Sequence, residues 1–318
     1  MITMTNIVRT TNFIQAPTLS ALLGANITFA DETKQHTGSF KFRAAYNVVS
    51  NIPQEHIIAA SSGNFAQALS YACSLLNKKC TVVMPNTSAQ VKIDGVKEYG
   101  GHIEFVDTTK NSRAARLGEL AKECPDAYVT NAYDNPLIIE GNKSLGIEIA
   151  AYSETFDYII SPIGGGGLIS GIILGIKEYA SAKLGAVKNA SDKIHLPTII
   201  GAEPSLANDA ARSIKSGELI ANDFEPQTIA DGARTISLGK HNWEIIKDNL
   251  KQIIEVSDEQ IKTAVKLIFD HVKIKAEPTG ALPLAAVLTE LDLFEEKNIC
   301  CVISGGNIDD ELFESIMQ

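Results

Sequence analysis

The chain has 318 residues, 45% of them hydrophobic and 21% charged, which suffices for one large core or two medium ones and is too apolar for disorder. A formal net charge of -10 and a pI near 5.2 argue against a polyanion-binding surface, so neither nucleic acid nor a membrane is an expected partner. No run approaches the roughly 20 consecutive apolar residues of a membrane helix, and the start, with Asn6, Arg9, Thr10 and Asn12, lacks the apolar core of an export signal; the expected location is cytoplasmic.

In chain order, the first chemically loaded segment is Thr37-Gly38-Ser39-Phe40-Lys41-Phe42-Arg43. A lysine between a small polar turn and an apolar segment can be partly desolvated, which lowers its pKa and makes its amine nucleophilic. Such an amine can hold a carbonyl cofactor as a Schiff base, although the same residues also suit a solvent-facing lysine at a helix start. Short β-branched runs follow, alternating with segments of helical period: Ile57-Ile58-Ala59-Ala60, Cys80-Thr81-Val82-Val83-Met84, Ile103-Glu104-Phe105-Val106, Tyr158-Ile159-Ile160, Thr198-Ile199-Ile200-Gly201-Ala202 and Cys300-Cys301-Val302-Ile303. Strand-then-helix alternation predicts an α/β fold with mostly parallel sheets.

In such sheets ligands gather at the carboxyl ends of strands. Ser61-Ser62-Gly63-Asn64 follows the first of these runs, Gly164-Gly165-Gly166-Gly167 follows the fourth, and Ser304-Gly305-Gly306-Asn307 follows the last. Four glycines opening a helix allow backbone amides and the helix's positive end to cradle a phosphate, or form a tight turn against a neighbour. The serine and asparagine loop can receive a carboxylate on backbone N–H groups, or simply cap a helix. Ser304 places a hydroxyl where it can bond a neutral aromatic nitrogen, or lies in an ordinary turn.

The cysteines, Cys73, Cys80, Cys124, Cys300 and Cys301, have no Cys-x-x-Cys spacing and are expected as buried thiols. No fixed repeat or linker divides the chain, so any second domain is expected as an insertion. The polar stretch from Ser181 to Lys193 is expected as a surface excursion without function.

Together these segments resemble a fold-type II pyridoxal phosphate enzyme of the serine/threonine dehydratase and serine racemase family. The resemblance runs nearly end to end, through Ala16-Pro17-Thr18-Leu19, residues 37–43, 61–67 and 161–171, Gly201-Ala202-Glu203-Pro204, Ala230-Asp231-Gly232, Glu277-Pro278-Thr279-Gly280 and residues 304–307. It implies two α/β domains with the active site between them, a large cofactor-binding domain of residues 1–52 and 138–318 and a mobile small domain of residues 53–137. It implies that Lys41 holds pyridoxal 5'-phosphate, that Gly164, Gly165, Gly166 and Gly167 bind its phosphate, and that Phe40, Asn64 and Ser304 contact the ring. Ser61, Ser62, Gly63, Asn64 and Phe65, with Gly232 and Glu277, are the implied substrate residues.

The implied activity is dehydration of L-threonine, L-serine or a related β-hydroxy amino acid to a 2-oxo acid and ammonia. Lys41 is the α-proton base and the cofactor phosphate the acid for the departing hydroxyl. Ser62 matches the family's acid/base on the second face, which makes serine or aspartate racemisation the close alternative. A threonine synthase-like enzyme or a non-catalytic amino-acid sensor fits less well. By the same resemblance Glu203 and Asp209, with the carbonyl of Ala207, bind Mg2+ or Ca2+, hard cations suited to oxygen ligands, whereas the bland alternative is an acidic helix start. A homodimer is expected, and with nothing after Gln318, feedback control of the biosynthetic type is not. The sequence departs from the family pattern at Phe65, Ala44, Asn131-Ala132-Tyr133-Asp134 and Ile139-Glu140-Gly141-Asn142-Lys143-Ser144, which leaves the preferred amino acid open.

Overall fold

The computed structural model describes residues 7–88, 90–186, 196–250 and 252–318. Its strands are β1 Asn12–Gln15, β2 Asn26–Asp31, β3 His56–Ala60, β4 Lys79–Pro85, β5 His102–Val106, β6 Tyr128–Thr130, β7 Tyr158–Pro162, β8 Thr198–Pro204, β9 Ile253–Val256 and β10 Asn298–Ile303. The helices are α1 Pro17–Leu23, α2 Lys41–Ser50, α3 Asn64–Leu75, α4 Gln90–Glu98, α5 Arg113–Glu123, α6 Pro136–Ala150, α7 Gly167–Ala186, α8 Asp209–Ser216, α9 Lys240–Ile246, α10 Asp258–Val272, α11 Pro278–Thr289, α12 Leu291–Phe294 and α13 Asp310–Met317. Residues 181–186 of the expected polar excursion complete α7; residues 187–193 lie outside the described residues.

Among the described residues these strands make two sheets. One has six strands in the order β1-β2-β10-β7-β8-β9, the other four in the order β5-β4-β3-β6. Every pairing is parallel except β1 with β2, so the α/β reading of the sequence holds, with one antiparallel edge strand added. The run Ile299-Cys300-Cys301-Val302-Ile303 is buried at every position, as a strand covered on both faces must be. Its odd positions join the cluster with Ile27, Phe29 and Leu284, and Cys300 and Val302 join the one with Phe40 and Ile172. Helix α10 shows the local logic. Ser257 and Gln260 form a reciprocal capping box, and Ile261, Ala264, Val265 and Ile268 recur at helical spacing and are all buried.

Lys41 lies at the seam between the two sheets. Phe42, Ala45, Tyr46 and Val49 of α2 pack with Ile57, Phe65 and Leu69 of the four-stranded layer, whereas Phe40 packs with Ala30 and Val302 of the six-stranded one. Helix α6 leads from the first layer to the second and crosses α7 at backbone contact. A Cβ on Gly146 would sit 2.4 Å from the Ile172 carbonyl oxygen, and one on Gly175 would sit 2.3 Å from that of Lys143. Only glycine permits that crossing.

Candidate active site

The loop before α2 is tied to the end of β10. Phe40 N donates to Ser304 O at 2.9 Å, Gly306 N donates to Gly38 O at 3.0 Å, and Ser39 and Gly305 form an antiparallel bridge. Gly38 has a φ of 73°, and a Cβ there would lie 2.5 Å from Asn307 Oδ1, so the turn that presents Lys41 needs glycine. The Lys41 side chain is half-buried. Its amine donates to Ala132 O at 3.0 Å and lies 4.8 Å from the centre of the Phe40 ring. Desolvation brings its pKa down to about 8, against the opposing pull of Glu277, which is the condition for a lysine that reacts near neutral pH.

Asn64 at the start of α3 links the end of β3 to the end of β10 and the start of α11. Its Nδ2 donates to both Glu277 carboxylate oxygens at 2.9 Å, and its Oδ1 accepts from Asn307 Nδ2 at 2.9 Å. Glu277 is 3% exposed, and its pKa is raised to about 7, chiefly by burial and then by Asp231, with Asn64, Lys92 and Lys41 opposing. Ser61 is buried and Ser62 is partly so; the Ser62 hydroxyl lies 3.4 Å from Arg113 Nη1. The Phe65 side chain faces away, into the cluster with Phe42 and Leu69, leaving its backbone at the start of α3 as the part nearest this loop.

The tetraglycine loop has no room for side chains. Cβ atoms would lie 2.7 Å from Gly232 O at Gly164, 2.2 Å from the Tyr133 ring at Gly165 and 3.0 Å from Tyr133 O at Gly167. Gly166 has a φ of 88°, a conformation that side-chain-bearing residues rarely adopt. Gly239 N and Asn242 Nδ2 hold the Gly165 carbonyl at 3.0 and 2.7 Å, and Asn142 Nδ2 holds that of Gly167 at 3.0 Å. These bonds turn the carbonyls away and leave the amides of the loop and of the first turn of α7 for an anion. Ser304 is 1% exposed, and its hydroxyl has no hydrogen-bond partner among the described residues.

Two residues at this site carry no motif in the sequence, Lys92 and Arg113; a third, Tyr133, lies in the Asn131 to Asp134 segment, where the sequence departs from the family pattern. Lys92 of α4 is in contact with Asp231. Arg113 pairs with Glu225 at 2.9 Å, and the Tyr133 loop is an Asx turn in which Asn131 Oδ1 accepts from the amides of Tyr133 and Asp134 at 3.0 and 2.6 Å. Farther off, at the end of β8, Glu203 is pushed up to about 9 and Asp209 to about 7, both foremost by burial. Glu203 Oε1 accepts from Ala211 N at 2.6 Å, while Asp209 Oδ2 is buried without a partner among the described residues. Ala207 is buried between them in sequence, in the 3-10 turn Ser205–Ala207. No cluster of three or more histidine, cysteine or acidic side chains of metal-holding geometry occurs among the described residues.

Residues 4–305 match the family model described as pyridoxal-phosphate dependent enzyme. The chain belongs to that family. It is 35% identical over 295 residues to the β-hydroxyaspartate dehydratase of Paracoccus denitrificans, covering 92% of this chain and 88% of that one. It is 33% identical to the serine racemase of Mus musculus, over 92% and 84% of the two chains. The solved serine racemase of Dictyostelium discoideum superposes with a TM-score of 0.83 at 32% identity, over 96% of this chain and 95% of that one. A solved threonine deaminase superposes with a TM-score of 0.87, also at 32% identity and over 96% and 95% of the two chains. The protein is thus a fold-type II pyridoxal phosphate enzyme of the serine/threonine dehydratase group. The site suits the group's cofactor: a desolvated amine at Lys41, an unpartnered buried hydroxyl at Ser304, and a glycine cradle whose carbonyls are already engaged.

Proposed function

We propose that the protein is an ammonia-lyase that converts L-threonine, L-serine or a related β-hydroxy amino acid to a 2-oxo acid and ammonia. The observation that carries this reading is the Lys41 amine, half-buried, brought down to about 8 and bonded to the Ala132 carbonyl. At neutral pH an appreciable fraction of that amine is free to accept a proton, which an ordinary lysine's is not. Phe40 and Asn64 would flank the cofactor ring, residues 164–167 would hold its phosphate, and Ser304 would bond its nitrogen. When bound, pyridoxal phosphate supplies an electron sink at the substrate α-carbon. The chain does the rest. The loop at residues 61–65 presents hydroxyls and helix-start amides to the substrate carboxylate, Lys41 Nζ removes the α-proton, and Gly232 and Glu277 close the other side.

A racemase reading has one observation in its favour, the Ser62 hydroxyl beside the Arg113 guanidinium, since a nearby cation eases ionisation of a hydroxyl that must move a proton. Glu203, Asp209 and the Ala207 carbonyl would take Mg2+ or Ca2+; the unpartnered Asp209 oxygen and the raised pKa values of both acids are what a cation would relieve. The deciding experiment supplies the cofactor-loaded protein with serine, threonine and threo-3-hydroxyaspartate and measures 2-oxo acid, ammonia and substrate chirality together. Stoichiometric 2-oxo acid and ammonia are expected from at least one of them; stereoinversion much faster than ammonia release would overturn the assignment.

A further inference from the structure

We propose that Lys92 is a positioning residue for this reaction, fastening the four-stranded layer to the turn Asp231–Ala233 and so fixing the Glu277 carboxylate beside Lys41. The proposal rests on Lys41 being the reacting amine. Lys92 belongs to α4, yet its ion-pair partner, Asp231, lies in the other layer, where Ala230 and Ala233 pack with Ala281 and Leu282 of α11. Its side chain is only 11% exposed. Burying a lysine costs side-chain entropy and hydration, and the core under α4 is made by Ile93 and Val96 without it. Of the two acids on its own helix, Asp94 is engaged by Gln90 at 2.7 Å and Glu98 lies six residues on, away from the Lys92 face. The acids that act on Lys92, namely Asp231, Glu277 and Asp309, all come from the opposite layer.

The turn it grips is also a wall of the glycine cradle. Gly232 O lies 2.7 Å from where a Gly164 Cβ would be, and Gly232 N donates to Thr279 Oγ1 at 3.0 Å, two residues beyond Glu277. One ion pair therefore registers α4 against the phosphate cradle and the start of α11 at once. It also supplies the positive charge between two carboxylates, Asp231 and Glu277, that would otherwise repel across the site.

The test uses the full-length, cofactor-loaded protein with Lys92→Met, Lys92→Arg, Asp231→Asn and the double Lys92→Met/Asp231→Asn variants. Each of Lys92→Met and Asp231→Asn is expected to lower kcat by roughly tenfold, the scale of a partly exposed but desolvated pair, with KM moving less. The double variant should lose no more than the worse single, as coupled residues do, and Lys92→Arg should restore most of kcat. Independently of turnover, amide hydrogen exchange in residues 90–98 should speed up in Asp231→Asn although that residue lies in the other layer. Additive losses, an arginine variant no better than methionine, or unchanged exchange in α4 would each overturn the proposal. Because exchange is read without any substrate, faster α4 exchange with no 2-oxo acid from any substrate would condemn the lyase reading and leave the fastening standing.

Discussion

Arg43, two residues after Lys41, is the best place to test how the site is held. It is fully buried and charged. Its Nε and Nη2 donate to the two Glu32 oxygens at 2.7 and 2.9 Å, Nη1 donates to Glu148 at 2.9 Å, and Nη2 also reaches the Thr11 hydroxyl at 2.8 Å. Substituting Arg43→Met keeps the stem and removes the charge. Glu32, 1% exposed, would be left with the Thr11 hydroxyl at 2.8 Å, and an uncompensated buried carboxylate of this kind costs about 3–5 kcal/mol. Glu148, with its side chain 24% exposed, adds little because solvent screens it. A loss of about 4 kcal/mol is a large share of the roughly 5–15 kcal/mol that holds a typical domain, so urea unfolding should show a much lower midpoint. Adding Glu32→Gln should recover a good part of it.

The pH dependence has a definite sign. Glu148 is held below its ordinary value of 4.5, its burial being outweighed by Arg43 and Thr11. A depressed carboxylate contributes stability above its unfolded value and loses it as pH falls through the folded one. The native protein should therefore weaken below about pH 4.5 more steeply than the Arg43→Met variant. A loss under about 1 kcal/mol in Arg43→Met, or no recovery with Glu32→Gln, would refute the reasoning.

Other outcomes follow from the same geometry. Lys41→Ala should abolish both the visible absorption of bound cofactor and 2-oxo acid formation, by about 10³-fold or more, as read by spectrophotometry and turnover. Ser304→Ala removes a hydroxyl that has no other partner among the described residues, so its cofactor affinity should fall in a dialysis titration while thermal stability of the cofactor-free protein stays within about 0.5 kcal/mol. Gly175→Val drives a side chain into the Lys143 carbonyl and should cost upwards of about 3 kcal/mol in thermal unfolding. With Glu203 and Asp209 raised to about 9 and about 7, ionising them destabilises the fold as pH rises from the ordinary carboxylate range through those values. Mg2+ or Ca2+ should accordingly raise the melting temperature more at pH 8 than at pH 5, and Glu203→Gln should erase the difference.

The strands legible in the sequence were those with apolar, mostly β-branched runs, whether buried on both faces like Ile299 to Ile303 or half-exposed at a sheet edge like β5. Strand β2 escaped notice because Asn26, Thr28 and Asp31 break its apolar run, and β6 and β9 are short enough to resemble loop. The three strand-end loops were readable as chemistry. Their gathering at one site was expected, but not the means, because β3 belongs to a different sheet from β7 and β10 and the Asn64, Glu277 and Asn307 bonds are what close that distance. Lys41 was ambiguous by itself, since burial depends on residues 91 positions away at Ala132. Lys92 and Arg113 had no local signal at all; their partners come from the segment around residues 225–231, and pairing across a cleft leaves no periodic trace in either helix.

The position of β10 has a consequence for how the molecule comes into being. It lies between β2 and β7 in the six-stranded sheet, so a chain emerging from the ribosome has an N-terminal pair and a later trio of strands with no strand to pair them into one sheet until residues 298–303 are made. Only then can Gly305 and Ser304 grip the turn that presents Lys41. A product truncated before residue 298 would lack both the strand that joins the two half-sheets and the backbone bonds that hold the turn before Lys41, so that turn gains its anchor late in synthesis.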